Sequence, residues 1–378
     1  MPAEFFSGQA RLLQARCHTL LERLNSFNHL PAELHPYAQN LGRMLSKIAM
    51  GVQNLLDDPD FGAAPLLLNQ FDDYKRFAEL ADIIEWHPLS LLDHFNERDY
   101  YSYRFAKLFC EQIQYPYDPP LVNAHSNVYY SSLAAVNMVS VPLSDDKHLL
   151  STPDFVHELG HIVFAHVWKE FTQRFMEYFQ PYVEEGKAKA ADRAAPQVYQ
   201  DHFDLLETSW DHYVQEFFCD VFATYLVGPA YGWSHIRLVL STQDELYHPT
   251  FGETGTHPAD EARMRIILAS LDEMGADTEA ERIREHWGDL TSIFVDKPDG
   301  EYAICYPDDI LLKVSRQVLR LCRDLELLPF FDQPKDSNNL PSLMQEAWEQ
   351  FHSDPNGYPQ WEAANTECLK RSIRAPSQ

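Results

Sequence analysis

Residues 151–164 read Ser-Thr-Pro-Asp-Phe-Val-His-Glu-Leu-Gly-His-Ile-Val-Phe, and this stretch predicts a buried helix that carries chemistry. Thr152 suits an N-cap, Pro153 the first helical position, and Asp154 complements the positive end of the helix dipole. Phe155, Val156, Leu159, Ile162, Val163 and Phe164 make the helix apolar nearly all round, as in a core helix. Charged groups placed there must be paired or bind a metal. His157 and His161 lie one turn apart on the same face. Their imidazoles can reach one ion with the ~2.0–2.1 Å bonds zinc prefers. Glu158, beside the first histidine, is not needed as a ligand and is placed to take a proton from water held by the metal.

A third protein ligand is sought further along. Glu216 and Asp220 stand at i, i+4 in Gln215-Glu216-Phe217-Phe218-Cys219-Asp220, 55 residues past His161, with Phe217, Phe218, Val221 and Phe222 around them. A carboxylate on so apolar a helix needs a cation. Glu216 as third ligand, with Asp220 accepting the free N–H of a ligand histidine, would supply both shells of a zinc site. Asp211 and His212, one turn earlier, are the alternatives. A third element is Thr256-His257-Pro258-Ala259-Asp260-Glu261-Ala262-Arg263, where Pro258 suits the first turn of a helix. His257 at that helix start, or Arg263 facing back toward the core, could stabilise the oxyanion of a tetrahedral intermediate.

Outward from these motifs, residues 5 to 114 read as helical. Leucines recur at helical spacing through Leu12, Leu13, Leu20, Leu21 and Leu24, and again through Leu41, Leu45, Ile48, Val52 and Leu55. Further patterns run through Phe71, Tyr74, Phe77, Ala81 and Ile84, ending before His87-Pro88, and through Tyr103 to Ile113. Pro116, Pro119 and Pro120 mark a boundary. Val128 to Pro142 reads as strand, with Val136, Met138 and Ser140 on one side and Asn137, Val139 and Val141 on the other. The helix from Thr152 is expected to end near Gln180, with a surface excursion from Glu184 to Ala195 and a helix from about Leu205 to Leu226. A loop from Thr242 to Thr256 precedes a helix from Pro258 to Met274. The tail from Pro329 holds one helical piece around Leu343 to Phe351.

The 378 residues are 45% hydrophobic and 13% aromatic, a globular composition with room for a large core. The net charge of −27 disfavours nucleic acid and anionic membrane surfaces as partners. No apolar run approaches the ~20 residues of a membrane span, and no secretory signal is visible, so a cytoplasmic location is expected. Six cysteines without CxxC pairing read as reduced thiols.

His157-Glu158-Leu159-Gly160-His161, then Glu216 with Asp220, then Thr256-His257-Pro258 with Arg263 resemble, in this order, the gluzincin metallopeptidases. The resemblance is closest to soluble relatives of the CAAX prenyl endopeptidase type and covers residues 128 to 275. It implies one zinc per chain bound by His157, His161 and Glu216, with Glu158 as general base. It also implies Asp220 supporting a ligand histidine, and His257 and Arg263 near the reaction centre or organising it. By the same resemblance, Asn137–Pro142 would be the sheet edge to which an extended peptide adds. The expected fold is α+β and predominantly helical, a zincin-like metallopeptidase core with a small sheet. Residues 1–120 would form a helical amino-terminal region, 121–290 the catalytic domain and 291–378 an appendage. The expected function is zinc-dependent hydrolysis of a peptide or protein substrate. The rivals are a catalytically silent zinc-bearing regulatory module and a helical scaffold in which the motif is coincidental.

Overall fold

The computed structural model describes residues 3–63, 66–126, 129–142, 148–191, 196–242, 246–249, 257–295, 297–336 and 338–374. The chain is predominantly helical with one small sheet, and it divides into two compact units, Met1–Tyr100 and Tyr101–Gln378.

The first unit is built from α1 (Ala3–Asn25), α2 (His35–Asp57), α3 (Leu67–Ile84) and the short α4 (Ser90–Asp93). Leu13, Leu20 and Leu24 of α1 and Leu41, Leu45, Ile48 and Val52 of α2 are buried where the two helices pack. Leu12 is 64% exposed, so the buried stripe of α1 is narrower than the leucine pattern suggests. His87-Pro88 does not stop the chain's helical course. Glu85–Leu89 winds as one π-turn, whose looser spacing accommodates a proline that lacks an N–H.

A further helix, α5 (Glu97–Gln112), leads into the second unit, where β1 (Leu121–Ser126), β2 (Ser131–Leu133) and β3 (Met138–Pro142) form the sheet. The strand order is β1-β3-β2, with β1 parallel and β2 antiparallel to β3. This corrects the expectation for Asn137–Pro142. That segment is the central strand, with Val139 paired to Val122 on one side and Ser132 on the other, so it offers no free edge. The prolines at 119 and 120 hid β1, which begins immediately after them. Asn137 is outside the strand, in the left-handed region at φ 49°, and ends a 3-10 turn.

The sheet leads to α6 (Thr152–Ala191), which pairs with α7 (Pro196–Val227). Gly160 faces Cys219, Phe175 stacks on Trp210, and Gly186 faces Phe203, so the two helices run antiparallel. Both are longer than expected. The Glu-, Lys- and Ala-rich stretch read as a surface excursion continues α6 to Ala191, because those residues are good helix formers. Phe155, Val156, Leu159, Ile162, Val163 and Phe164 are all buried. Thr152 does not cap the helix; its hydroxyl donates to the His148 carbonyl.

The remaining helices are α8 (Pro229–Thr242), α9 (Asp260–Glu273), α10 (Asp277–Ser292), α11 (Gly300–Cys305), α12 (Asp308–Asp324), α13 (Leu340–Ser353) and α14 (Tyr358–Arg374). One apolar core runs from Tyr101 to Ile373 and so includes side chains on both sides of residue 290. The C-terminal end of α11 is tied to the long helices, since Trp210 donates to the Cys305 carbonyl (3.0 Å) and Tyr182 to that of Ile304 (2.6 Å). The tail contains α14, which its Pro- and Asn-punctuated sequence did not announce. All six cysteines are unpaired, and only Cys368 is exposed. No helix among the described residues is long and apolar enough to cross a membrane.

Candidate metal centre

Helix α6 supplies His157, Glu158 and His161 to one buried cluster, and α7 supplies Gln215, Glu216, Cys219 and Asp220. The two backbones can approach because residue 160 is glycine. A Cβ there would stand 3.0 Å from the Cys219 Cα. This close crossing sets the histidine pair opposite the glutamate. His157 Nε2 lies 3.3 Å from Glu216 Oε2, and His161 Nε2 lies 3.5 Å from Glu216 Oε1. Two donors at ~2.0–2.1 Å from a tetrahedral ion stand about 3.4 Å apart. Glu216 is 6% exposed, and its Oε2 is buried without a hydrogen-bond partner. A buried carboxylate oxygen left in this state is costly unless a cation completes it. The donor set therefore fits a divalent metal.

A second set shares the same histidines. Ligand atoms of His157, His161 and Cys219 all lie within 4.8 Å of one another, so this buried His–His–Cys group could also hold a metal. Burial, with the nearby Glu216, Glu158 and Asp220 charges, keeps the Cys219 thiol protonated. A thiol must ionise to ligate, whereas Glu216 is already a carboxylate. Glu216, whose two oxygens each face one Nε2, already carries the charge that a ligand needs.

The far nitrogens of the two rings are held as well. His157 Nδ1 is 3.1 Å from Asp220 Oδ1 and 2.9 Å from the Tyr231 hydroxyl of α8. Asp220 is fully buried and takes two hydrogen bonds from Arg263 of α9, Nε to Oδ2 at 2.9 Å and Nη2 to Oδ1 at 2.6 Å. The Gln215 amide lies 2.9 Å from His161 Nδ1. With the amide turned so that Oε1 accepts, the ring keeps its proton on Nδ1 and leaves Nε2 bare.

Electrostatics follow from burial and these partners. Burial opposes charge on His157, but the adjacent Asp220 and Glu216 carboxylates outweigh it and raise its pKa. Burial pushes His161 down to about 4, despite the pull of Glu216. Burial also works against ionised Glu216 and Asp220; the His157 contact and the Arg263 charge overcome it and hold both well below the usual carboxylate range. Glu158 is the exception. Its burial dominates and lifts its pKa, with Ser132 of β2 hydrogen-bonded to it. A carboxylate raised in this way is a stronger proton acceptor.

The structure thus brings together His157, Glu158, His161, Glu216, Asp220 and Arg263. Arg263 is buried and engages Asp220 through its guanidinium, which makes it a support for that carboxylate. His257 reaches only the rim, 65% exposed, with Nε2 3.9 Å from Glu216 Oε2. Helix α9 begins at Asp260 after an Ala259 cap, so Pro258 precedes the helix and is not in its first turn. Thr256 lies outside the described residues. Asp211 and His212, the alternative ligands, are exposed on α7. Tyr231, Gln215 and Ser132 had no sequence signal as members of the site. No family model matches the chain, and neither the curated proteins nor the solved structures include a match.

Proposed function

We propose that the chain is a zinc-dependent peptidase of zincin-like architecture, with His157, His161 and Glu216 holding one zinc. The observation that carries this reading is the pair of 3.3 and 3.5 Å separations between the two Nε2 atoms and the Glu216 oxygens, one of which is buried without a hydrogen-bond partner. Zinc bound there would acidify a coordinated water and polarise the carbonyl to be cleaved. Glu158 takes the proton from the attacking water and returns it to the leaving amine. Its raised pKa makes it a stronger base for the first of these steps. Asp220, steadied by Arg263, orients His157. His257, exposed with its Nε2 3.9 Å from Glu216 Oε2, would stabilise the oxyanion.

The experiment is elemental analysis of the wild type beside His161→Ala and Glu216→Ala, followed by peptide-library hydrolysis with Glu158→Gln. About one zinc per chain, lost in both ligand variants, together with activity abolished in Glu158→Gln while metal is retained, supports the reading. Zinc retained by Glu216→Ala but lost in Cys219→Ser would instead favour the His–His–Cys set and a metal-bearing module without turnover. A folded wild type that takes up no zinc leaves only the scaffold reading.

A further inference from the structure

Tyr231 follows the turn between α7 and α8. Gly228 adopts φ +60°, a left-handed conformation that a side chain would strain, and the ring of Phe330 fills the space where its Cβ would stand. The turn is closed by the Tyr231 N–H donating to the Gly228 carbonyl at 3.2 Å. It delivers the Tyr231 ring, 2% exposed, to the side of His157, with the two rings 14° from parallel.

The hydrogens around its hydroxyl can be assigned by counting donors. A phenol has one proton to give. Asp220 Oδ1 stands 2.5 Å from the hydroxyl and belongs to a carboxylate, the stronger acceptor, so the proton goes there. Toward His157 Nδ1, at 2.9 Å, the phenol oxygen can then only accept. Nδ1 must therefore carry a proton, so that in the neutral ring, the form that binds a metal, the lone pair is on Nε2, 3.3 Å from Glu216 Oε2. Arg263 Nη2 approaches the same phenol oxygen at 3.3 Å, which helps fix its orientation. The direct path from Nδ1 to Asp220 is longer, 3.1 Å, and shares an oxygen already receiving Arg263 at 2.6 Å.

We infer that Tyr231 is a positioning residue for the metal centre, interposed between Asp220 and His157 so that the carboxylate steers the ligand ring through a phenol. The inference rests on the metal reading above and adds to it the group that sets the direction of one ligand. Removing the hydroxyl leaves the imidazole with only the longer, shared contact, and a ring free to tilt presents its Nε2 poorly.

The test compares Tyr231→Phe with wild type, using Tyr225→Phe as control. Tyr225 is a second buried tyrosine, and its hydroxyl donates to the Leu327 carbonyl at 3.1 Å. Zinc affinity is read by competition with a chromogenic chelator, and ligand geometry by the visible spectrum of cobalt(II) bound in place of zinc. Tyr231→Phe is expected to bind zinc about 10–100-fold more weakly with altered cobalt bands, and Tyr225→Phe to match wild type. Wild-type affinity and spectrum in Tyr231→Phe overturn the inference while leaving the metal reading intact. Equal loss in both variants also overturns it, because packing alone would then explain the effect. A wild type that binds neither zinc nor cobalt overturns the metal reading itself. Should Tyr231→Phe not fold, the wild type labelled with 15N-histidine decides. A slowly exchanging His157 Nδ1 proton with an NOE to the Tyr231 ring supports the arrangement, and its absence refutes it.

Discussion

Glu261, in the first turn of α9, has a side chain 19% exposed beside Arg265, and the Tyr302 hydroxyl donates to it. Burial raises its pKa to about 7 although Arg265 pulls the other way, and Asp308 adds to the rise. An acid whose folded pKa exceeds its unfolded value stabilises the fold fully below the unfolded pKa, near 4.5, and loses that contribution as pH climbs through about 7. Glu261→Gln keeps an acceptor for Tyr302 and removes the charge. Its urea stability is expected to exceed wild type by up to about 3 kcal/mol at pH 8, with the gap closing toward pH 5. A difference independent of pH would show that ionisation of Glu261 is not the cause. Residues of this kind differ in how far sequence betrays them. His157 with His161 and Glu216 with Asp220 stand out because polar groups at i, i+4 in apolar helices demand a partner, and Glu158 stands out beside the first histidine. Tyr231 does not, since a tyrosine in the apolar helix α8 reads as ordinary core and its role depends on the Gly228 turn. His257 was legible as part of Thr256-His257-Pro258 with Arg263, and it sits exposed at the rim.

The α6–α7 crossing shows what an element contributes beyond its residues. Gly160 lets α6 lie against the Cys219 backbone, and this contact sets the spacing between the histidines and Glu216. Gly160→Ala would gain helix propensity, about 1 kcal/mol in its favour. It would also place a methyl 3.0 Å from the Cys219 Cα, a backbone atom that cannot swing aside. Separation of the helices should win, with a net loss of about 1–3 kcal/mol in thermal or urea unfolding and a larger relative loss of zinc affinity. An unchanged zinc affinity would show that the crossing does not set the ligand spacing. Helical texture was readable at this scale because long apolar stripes have a period, and α6 also carries a Pro and an Asp in its first turn. Ends were less readable. Ala-, Lys- and Glu-rich sequence continued α6 where polarity suggested an excursion, and a proline at 88 was absorbed into a π-turn. Strand order was not readable, because pairing depends on partners distant in sequence. The resemblance implied an edge at Asn137–Pro142, whereas β1, hidden in the sequence behind two prolines, pairs with that segment on the far side from β2.

At the scale of the whole molecule, the chain divides into two compact units. Met1–Tyr100 and Tyr101–Gln378 are separately compact, and every proposed ligand and supporting residue of the candidate metal centre belongs to the second. That unit has a core cluster reaching from Tyr101 to Ile373, so a metal that held α6 to α7 would be expected to stiffen helices as late in the chain as α14. A ligand that binds only the folded form stabilises it by about 4 kcal/mol at a thousand times its Kd. In hydrogen exchange, the slowest amides of a compact unit exchange through its full unfolding. Saturating zinc is therefore expected to slow the core amides of α6, α7, α9 and α12 by about a thousandfold. The buried amides of α1 and α2 should change little, because their unit opens without releasing the metal. Equal slowing in both sets would mean that the chain unfolds as one cooperative body. No slowing in α6 and α7, in a protein with zinc bound, would place the metal elsewhere and remove His157, His161 and Glu216 as its ligands.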